Sequence, residues 1–313
     1  MMLFDLAPVF LDAPSPWDDP SLFAQQAISG IASGSLFAIL ALAIVMIYRS
    51  TSVLNFAQGE MAMFSTFITW SFLTRMDFWP AFILAILVAA AIGAALERFV
   101  LRPVEQAPVL NSLIVTLGLF TIFNGLALYI WGPLPKAFGP FSVFSGDPFC
   151  AGEVCIGRTN VGVLVVTFVI MVGLYALFQY TRIGLAMRAT AHNRLASQLV
   201  GIPVGRMLTI GWGLSAGVGA IAGVLVAQGL SLTTSTMFSV LLYAFAGAVL
   251  GGLDSPIGAV IGGLAVGVIK NMASTYVPPD IGSVDVTVAF AVIVFVLMLR
   301  PEGLLGRPAQ RRV

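Results

Sequence analysis

Few side chains in this chain of 313 residues have the types and spacing for chemistry, and those few narrow what the chemistry is. There is one histidine, His192, and there are two cysteines, Cys150 and Cys155. A Ser-His-Asp or Cys-His arrangement needs its histidine beside the nucleophile, and His192 sits in a polar stretch away from both cysteines. No third ligand type lies near the cysteines, so neither a metal site nor a cofactor is expected. The lysines are Lys136 and Lys270, which precede Ala137 and Asn271. A phosphate-binding loop needs lysine followed by serine or threonine. These points argue against an enzyme, and against nucleotide hydrolysis in particular. Four residues separate the cysteines, Gly152 among them, which fits a disulfide across a hairpin in an oxidising compartment; two free thiols are the alternative.

Three polar groupings carry more information. Asn55, Gln58 and Glu60 precede an apolar run that ends near Leu73, and Glu60 to Thr74 covers only about 22 Å of helix, short of a bilayer core of about 30 Å. The helix is therefore expected to start near Asn55, drawing the three polar residues into one leaflet, with Asn55 as a cap and Glu60 in the favourable field of a helix N-terminus. An acid at such depth faces a cavity or a partner; pairing with Arg49 is the structural alternative. Asp254 precedes Pro256 in a glycine-rich stretch, where it is expected to cap the following helix, lining a path or resting at an interface being the other options. Gly258, Gly262 and Gly263 suit close helix packing, with a re-entrant hairpin as the alternative.

The third grouping is the long polar segment from Tyr180 to Pro203. Asn193 is an N-cap for a helix over Arg194 to Val200, and Gly201, Ile202 and Pro203 stop it. Two turns do not hold alone, so docking must stabilise them. Leu195 and Leu199 form one apolar ridge, flanked by Ala191, His192, Ala196 and Gln198. The ridge fits a partner protein; a connector lying on lipid headgroups, with Arg182, Arg188, Arg194 and Arg206 on anionic lipid, is the alternative.

The elements that position these residues are membrane spans. Hydrophobic residues make up 59% of the chain and charged ones 9%, with a mean hydropathy of +1.00, so lipid must be its solvent. A net charge of +1 argues against a nucleic-acid partner, which would need a concentrated basic patch. Apolar runs are found at Leu22 to Ile47, up to Leu73, Trp79 to Leu96, Leu110 to Trp131, Val161 to Tyr180, Met207 to Gln228, Phe238 to Leu250, Ile257 to Ile269 and Val284 to Leu299. The expectation is an all-α polytopic protein of eight to nine spans, the seventh and eighth short or broken. With the first span entering from outside, eleven of the 15 Lys and Arg residues face the cytoplasm and Arg75, Lys136, Arg158 and Lys270 do not, which puts the N-terminus outside and the C-terminus inside. Residues 1–21 are then an external segment, 22–300 the transmembrane domain with an external loop at 132–160 and a cytoplasmic loop at 181–206, and 301–313 a cytoplasmic tail. The stretch after Met1 lacks the basic start and long apolar core of a cleavable signal. Ser29 to Gly34 and Ser215 to Gly223 share small-residue spacing, the one hint of an internal repeat.

Five stretches then resemble one family in order and spacing: VLNFAQGEMAMF (Val53 to Phe64), ERFVLRPV (Glu97 to Val104), TRIGLAMRATAHNRLASQLVGI (Thr181 to Ile202), AVLGGLDSPIGAVIGGLAVG (Ala248 to Gly267) and LRPEGLLGR (Leu299 to Arg307). The chain is similar to the permease subunits of branched-chain amino acid ABC importers from Leu22 to Arg307. Asp254 departs from the family's usual glycine before Ser-Pro. The resemblance implies a bacterial inner-membrane complex of two permease subunits, in a heterodimer, with two cytoplasmic ATPases and a periplasmic binding protein. On that reading Arg188, His192, Asn193, Leu195, Ala196, Leu199 and Gly201 belong to the ATPase-coupling segment, and Asn55, Gln58 and Glu60 to the translocation path. A branched-chain amino acid is the implied solute; a short amide or urea, or a proton-coupled carrier using Glu60, are the competing readings.

Overall fold

A computed structural model describes residues 19–51, 53–104, 107–138, 144, 146–151, 154–229, 231–277, 284–300 and 302–306. The N-terminal stretch read above for a signal, and the tail arginines Arg307, Arg311 and Arg312, lie outside them. The described residues form eleven α-helices and one small hairpin: α1 (Pro20–Thr51), α2 (Gln58–Leu73), α3 (Phe78–Leu96), α4 (Val109–Trp131), β1 (Phe149–Ala151), β2 (Val154–Ile156), α5 (Arg158–Tyr180), α6 (Arg182–His192), α7 (Arg194–Leu199), α8 (Val204–Gly229), α9 (Thr236–Gly251), α10 (Pro256–Tyr276) and α11 (Val284–Leu299). Six are long and apolar enough to cross a bilayer, namely α1, α3 with its extension, α4, α5, α8 and α10. The chain is an all-α polytopic membrane protein.

Helix α1 is the axis. Its 32 residues would reach about 48 Å, and the run from Phe37 to Ile47 is buried throughout. It packs most extensively on α10, then on α8, α9 and α5. Water drives no helix association inside lipid, so contact must come from close packing of small residues. The α1–α10 contact is made that way. A Cβ at Gly34 would meet the backbone of Gly263 and Leu264, and one at Gly267 would meet the backbone of Gly30 and Gly34. Gly247 and Gly251 of α9 lie in the same manner on Gly262 and Gly258 of α10. The glycine-rich stretch is thus a helix-packing seam, and α10 runs unbroken for 21 residues. The short eighth span expected from sequence is corrected: its apolar run stops at Ile269, but the helix continues through Lys270 and Asn271.

Asp254 does not cap α10. The cap is Ser255, whose Oγ accepts the Gly258 N–H at 3.0 Å, leaving Asp254 exposed. The end of α9 is closed by the chain's own C-terminal segment, where the N–H groups of Leu304 and Leu305 donate to the carbonyls of Leu250 and Gly251. At the end of α3 the helix widens into a π turn over Glu97–Leu101. Glu97, only 2% exposed, is held there by Arg102 at 2.8 Å and by the Thr209 hydroxyl of α8 at 2.5 Å. Arg102 also donates to the Gly205 carbonyl at 2.8 Å. A buried carboxylate so fully partnered is tolerated, and it fastens α3 to α8.

The exposed apolar side chains of α3, α4 and α5, among them Leu87, Ile122 and Phe168, form the lipid-facing surface. The helix ends sort into two faces. One carries Arg49, Arg102, Arg182, Arg188, Arg194 and Arg206 and is called here the arginine-rich end; the other carries the β1–β2 hairpin.

Candidate functional site

Asn55 starts the site. Its Oδ1 accepts the Ala57 N–H at 3.0 Å, an Asx turn that reverses the chain three residues before α2 begins at Gln58. The helix therefore starts later than the sequence suggested. Its 16 residues span about 24 Å, and its first turn lies inside the bundle. The depth is fixed by α8: Gln58 Nε2 donates to the Ser215 carbonyl at 3.2 Å, and Ser215 is eleven residues, about 16 Å, into that helix. The polar set thus sits near mid-depth of a core of about 30 Å, deeper than expected.

Each member of the set is partnered. Asn55 Nδ2 donates to Gln58 Oε1 at 3.2 Å, and the Ser215 hydroxyl donates to the Ala43 carbonyl of α1 at 2.6 Å while lying 3.2 Å from Gln58 Oε1. Glu60 accepts from Asn124 Nδ2 of α4 at 3.2 Å, and Asn124 also donates to the Thr234 carbonyl at 3.0 Å. The Glu60 partner in this structure is Asn124 and not Arg49. Asn55, Gln58 and Glu60 are at most 1% exposed. Together they join α1, α2, α4, α8 and the segment before α9 through amide, hydroxyl and carboxylate groups. Such a junction is stable when satisfied and costly when opened without new partners. Sequence reading missed Ser215 and Asn124. Both are polar residues inside apolar runs, and that is the signal which marks them.

At the arginine-rich end, Thr181 caps α6 by accepting the Gly184 N–H at 3.0 Å, and Asn193 caps α7 by accepting the Ala196 N–H at 3.0 Å. Helix α7 ends at Leu199, and Gly201 turns the chain with a φ of +82°, a conformation that suits glycine. Leu195, Leu199 and Val200 are 74%, 89% and 75% exposed. His192, Asn193 and Ala196 are exposed beside them, while Arg188 is half-buried and donates to Gln179 at 2.9 Å. Arg194 reaches back so that its Nη2 donates to the carbonyls of Ser50 and Thr51, at 3.2 and 3.3 Å. A cation on those last carbonyls satisfies the orphan acceptors of α1 and its dipole.

At the opposite end Cys150 and Cys155 pair across the β1–β2 hairpin with their sulfurs bonded. Gln25 of α1 brackets this hairpin, accepting from the Cys155 N–H and donating to its carbonyl, both at 2.8 Å. Alkylating the unreduced, denatured protein is expected to label neither thiol, and reduction to expose two. Labelling of both without reductant would contradict the bridge.

Residues 26–299 match the family described as the branched-chain amino acid transport system / permease component. The chain belongs to this family. The permease is 32% identical over 307 residues to the high-affinity branched-chain amino acid transport system permease protein LivH of Salmonella typhimurium, covering 93% of this chain and 98% of that one. It is 30% identical over 305 residues to the corresponding protein BraD of Pseudomonas aeruginosa, with the same coverage. Among solved structures, PsaBC from Streptococcus pneumoniae in complex with Fab aligns over 89% of this permease and 92% of that chain, at 14% identity and a TM-score of 0.47.

Proposed function

We propose that this permease is the membrane subunit of an ATP-driven importer that carries branched-chain amino acids across the bacterial inner membrane. A second permease subunit, in a heterodimer, completes the channel; two cytoplasmic ATPases supply the motion, and a periplasmic binding protein delivers the solute. The arginine-rich end faces the cytoplasm and the disulfide hairpin faces the periplasm, an orientation supported by the distribution of arginines. The observation that carries the reading is the α7 ridge: apolar, solvent-exposed, capped and tied to the end of α1. A chain without a nucleotide-binding motif must receive work through such a contact.

The junction of Asn55, Gln58 and Glu60 is the point where the path is closed. A zwitterion crosses by exchanging weak paired contacts, and a site that both seals and releases needs groups which partner each other when no solute is there. The test is uptake into proteoliposomes. The complete complex with ATP and binding protein is expected to import leucine, and the permease alone is expected not to. Uptake by the permease alone, driven by a proton gradient, would establish the secondary-carrier reading instead. Glu60→Gln is expected to reduce uptake by roughly tenfold while leaving the complex assembled, from the loss of one charged hydrogen-bond acceptor. Wild-type uptake by that variant would reduce Glu60 to a packing role.

A further inference from the structure

A cavity of about 680 Å³ opens between α1, α9, α10 and the end of α8, on the hairpin side of the polar junction. Its volume is that of a small-molecule site. Ser33, Ser231, Thr233, Ser235, Ser239 and Tyr243 give it hydroxyls, and its apolar wall includes Leu36, Phe37 and Val240. Among the described residues, the one charged side chain lining it is Lys270. Lys270 lies fourteen residues into α10 and six from its end, about 9 Å inside the span. Among the described residues it makes no hydrogen bond or ion pair, and no carboxylate of those residues lines the cavity with it. A cation held that deep is costly unless it faces water or an anion. A second feature favours an anion at the same place: α9 begins at the cavity wall, where Ser235 makes no side-chain cap and the positive end of the helix dipole lies.

We propose that Lys270 binds the carboxylate of the incoming solute in this cavity, making the carboxylate the feature by which the permease distinguishes an amino acid from a neutral amide or urea. The inference rests on the importer reading above and goes further, since it assigns the recognition of one chemical group to one residue of the permease itself. The hydroxyls accept from the solute ammonium and the apolar wall takes a branched side chain. The cavity adjoins the closed junction through Thr234, whose two neighbours line it and whose carbonyl accepts from Asn124.

The test places a cysteine at Ser239, which is exposed in the cavity, in the assembled complex; Cys150 and Cys155 are bonded to each other and do not compete. Thiosulfonate reagents of opposite charge report the local field. The anionic reagent is expected to outpace the cationic one, and Lys270→Gln to lower that ratio by about 10- to 100-fold, while Lys270→Arg retains it. Leucine is expected to protect the cysteine at concentrations at least tenfold lower than leucinamide does, and Lys270→Gln to abolish the difference. A reagent ratio or a leucine preference unaltered by Lys270→Gln, in a complex that still copurifies, would overturn the proposal. Leucine uptake by the wild-type complex is measured alongside. If that uptake is absent, the branched-chain reading fails, and protection by acetate then decides for or against Lys270 by itself.

Discussion

Replacing Leu195 and Leu199 together with aspartate is expected to release the ATPase from this permease or to leave its hydrolysis uncoupled from uptake, with transport falling to background. Both side chains stand free of the rest of the chain at 74% and 89% exposure, so the substitution removes no internal packing. The Asn193 cap and the Arg194 contacts to α1 do not involve them. Insertion and folding should therefore be normal. In a docked state the two aspartates would be buried in an apolar groove without partners. Hot-spot residues of interfaces are each worth about 2 kcal/mol or more, so affinity should fall by at least roughly 30-fold. Copurification of the ATPase is the first measurement, and substrate-stimulated hydrolysis with uptake the second. A variant that keeps all three would show that α7 lies on lipid headgroups and takes no part in coupling.

The second large effect concerns the seam. Gly267→Val is expected to prevent the chain from accumulating as a monodisperse membrane protein, whereas Gly173→Val should be tolerated. The atoms that a Cβ at Gly267 would strike are backbone atoms of Gly30 and Gly34 in the middle of α1, which no rotamer change can move. At Gly173 nothing lies within 4 Å. Overpacking of this kind costs about 3 kcal/mol or more where the neighbours cannot yield, while a lipid-facing valine costs little. Wild-type yield and melting temperature for Gly267→Val would mean that the two helices are not in backbone contact.

The spans were readable because a continuous apolar run of about twenty residues has few other uses. Their edges failed where a polar residue belonged to the helix or an apolar one did not. Lys270 cut α10 short in the sequence, since a cation ends an apolar run whether or not the helix ends with it. Asn55 suggested a helix start and instead made an Asx turn, because the same short amide serves both purposes. Asp254 and Ser255 were both competent caps, and only the φ and ψ of the chain before Pro256 select Ser255. The polar partners Ser215 and Asn124 were illegible for a different reason: pairing between residues 64 and 157 positions apart is set by how the helices assemble. The α7 segment was legible nearly in full, as cap, ridge and glycine stop are all local signals.

The contact of α1 with α10 also restricts how the molecule can change shape. Side chains that interdigitate can exchange one set of rotamers for another, which lets packed helices ratchet past each other. Glycine against backbone has no alternative set. A slip of one turn would carry Asn271 or Ala259 into a place that now holds glycine, and a Cβ does not fit there. Helices α1 and α10 are in that sense a single strut, with the Arg194 anchor at one end of α1 and the Gln25 clasp on the hairpin near the other. Any displacement applied at the anchor is a rotation or translation of the whole strut, with its freedom of movement in the side-chain contacts on α5 and α8.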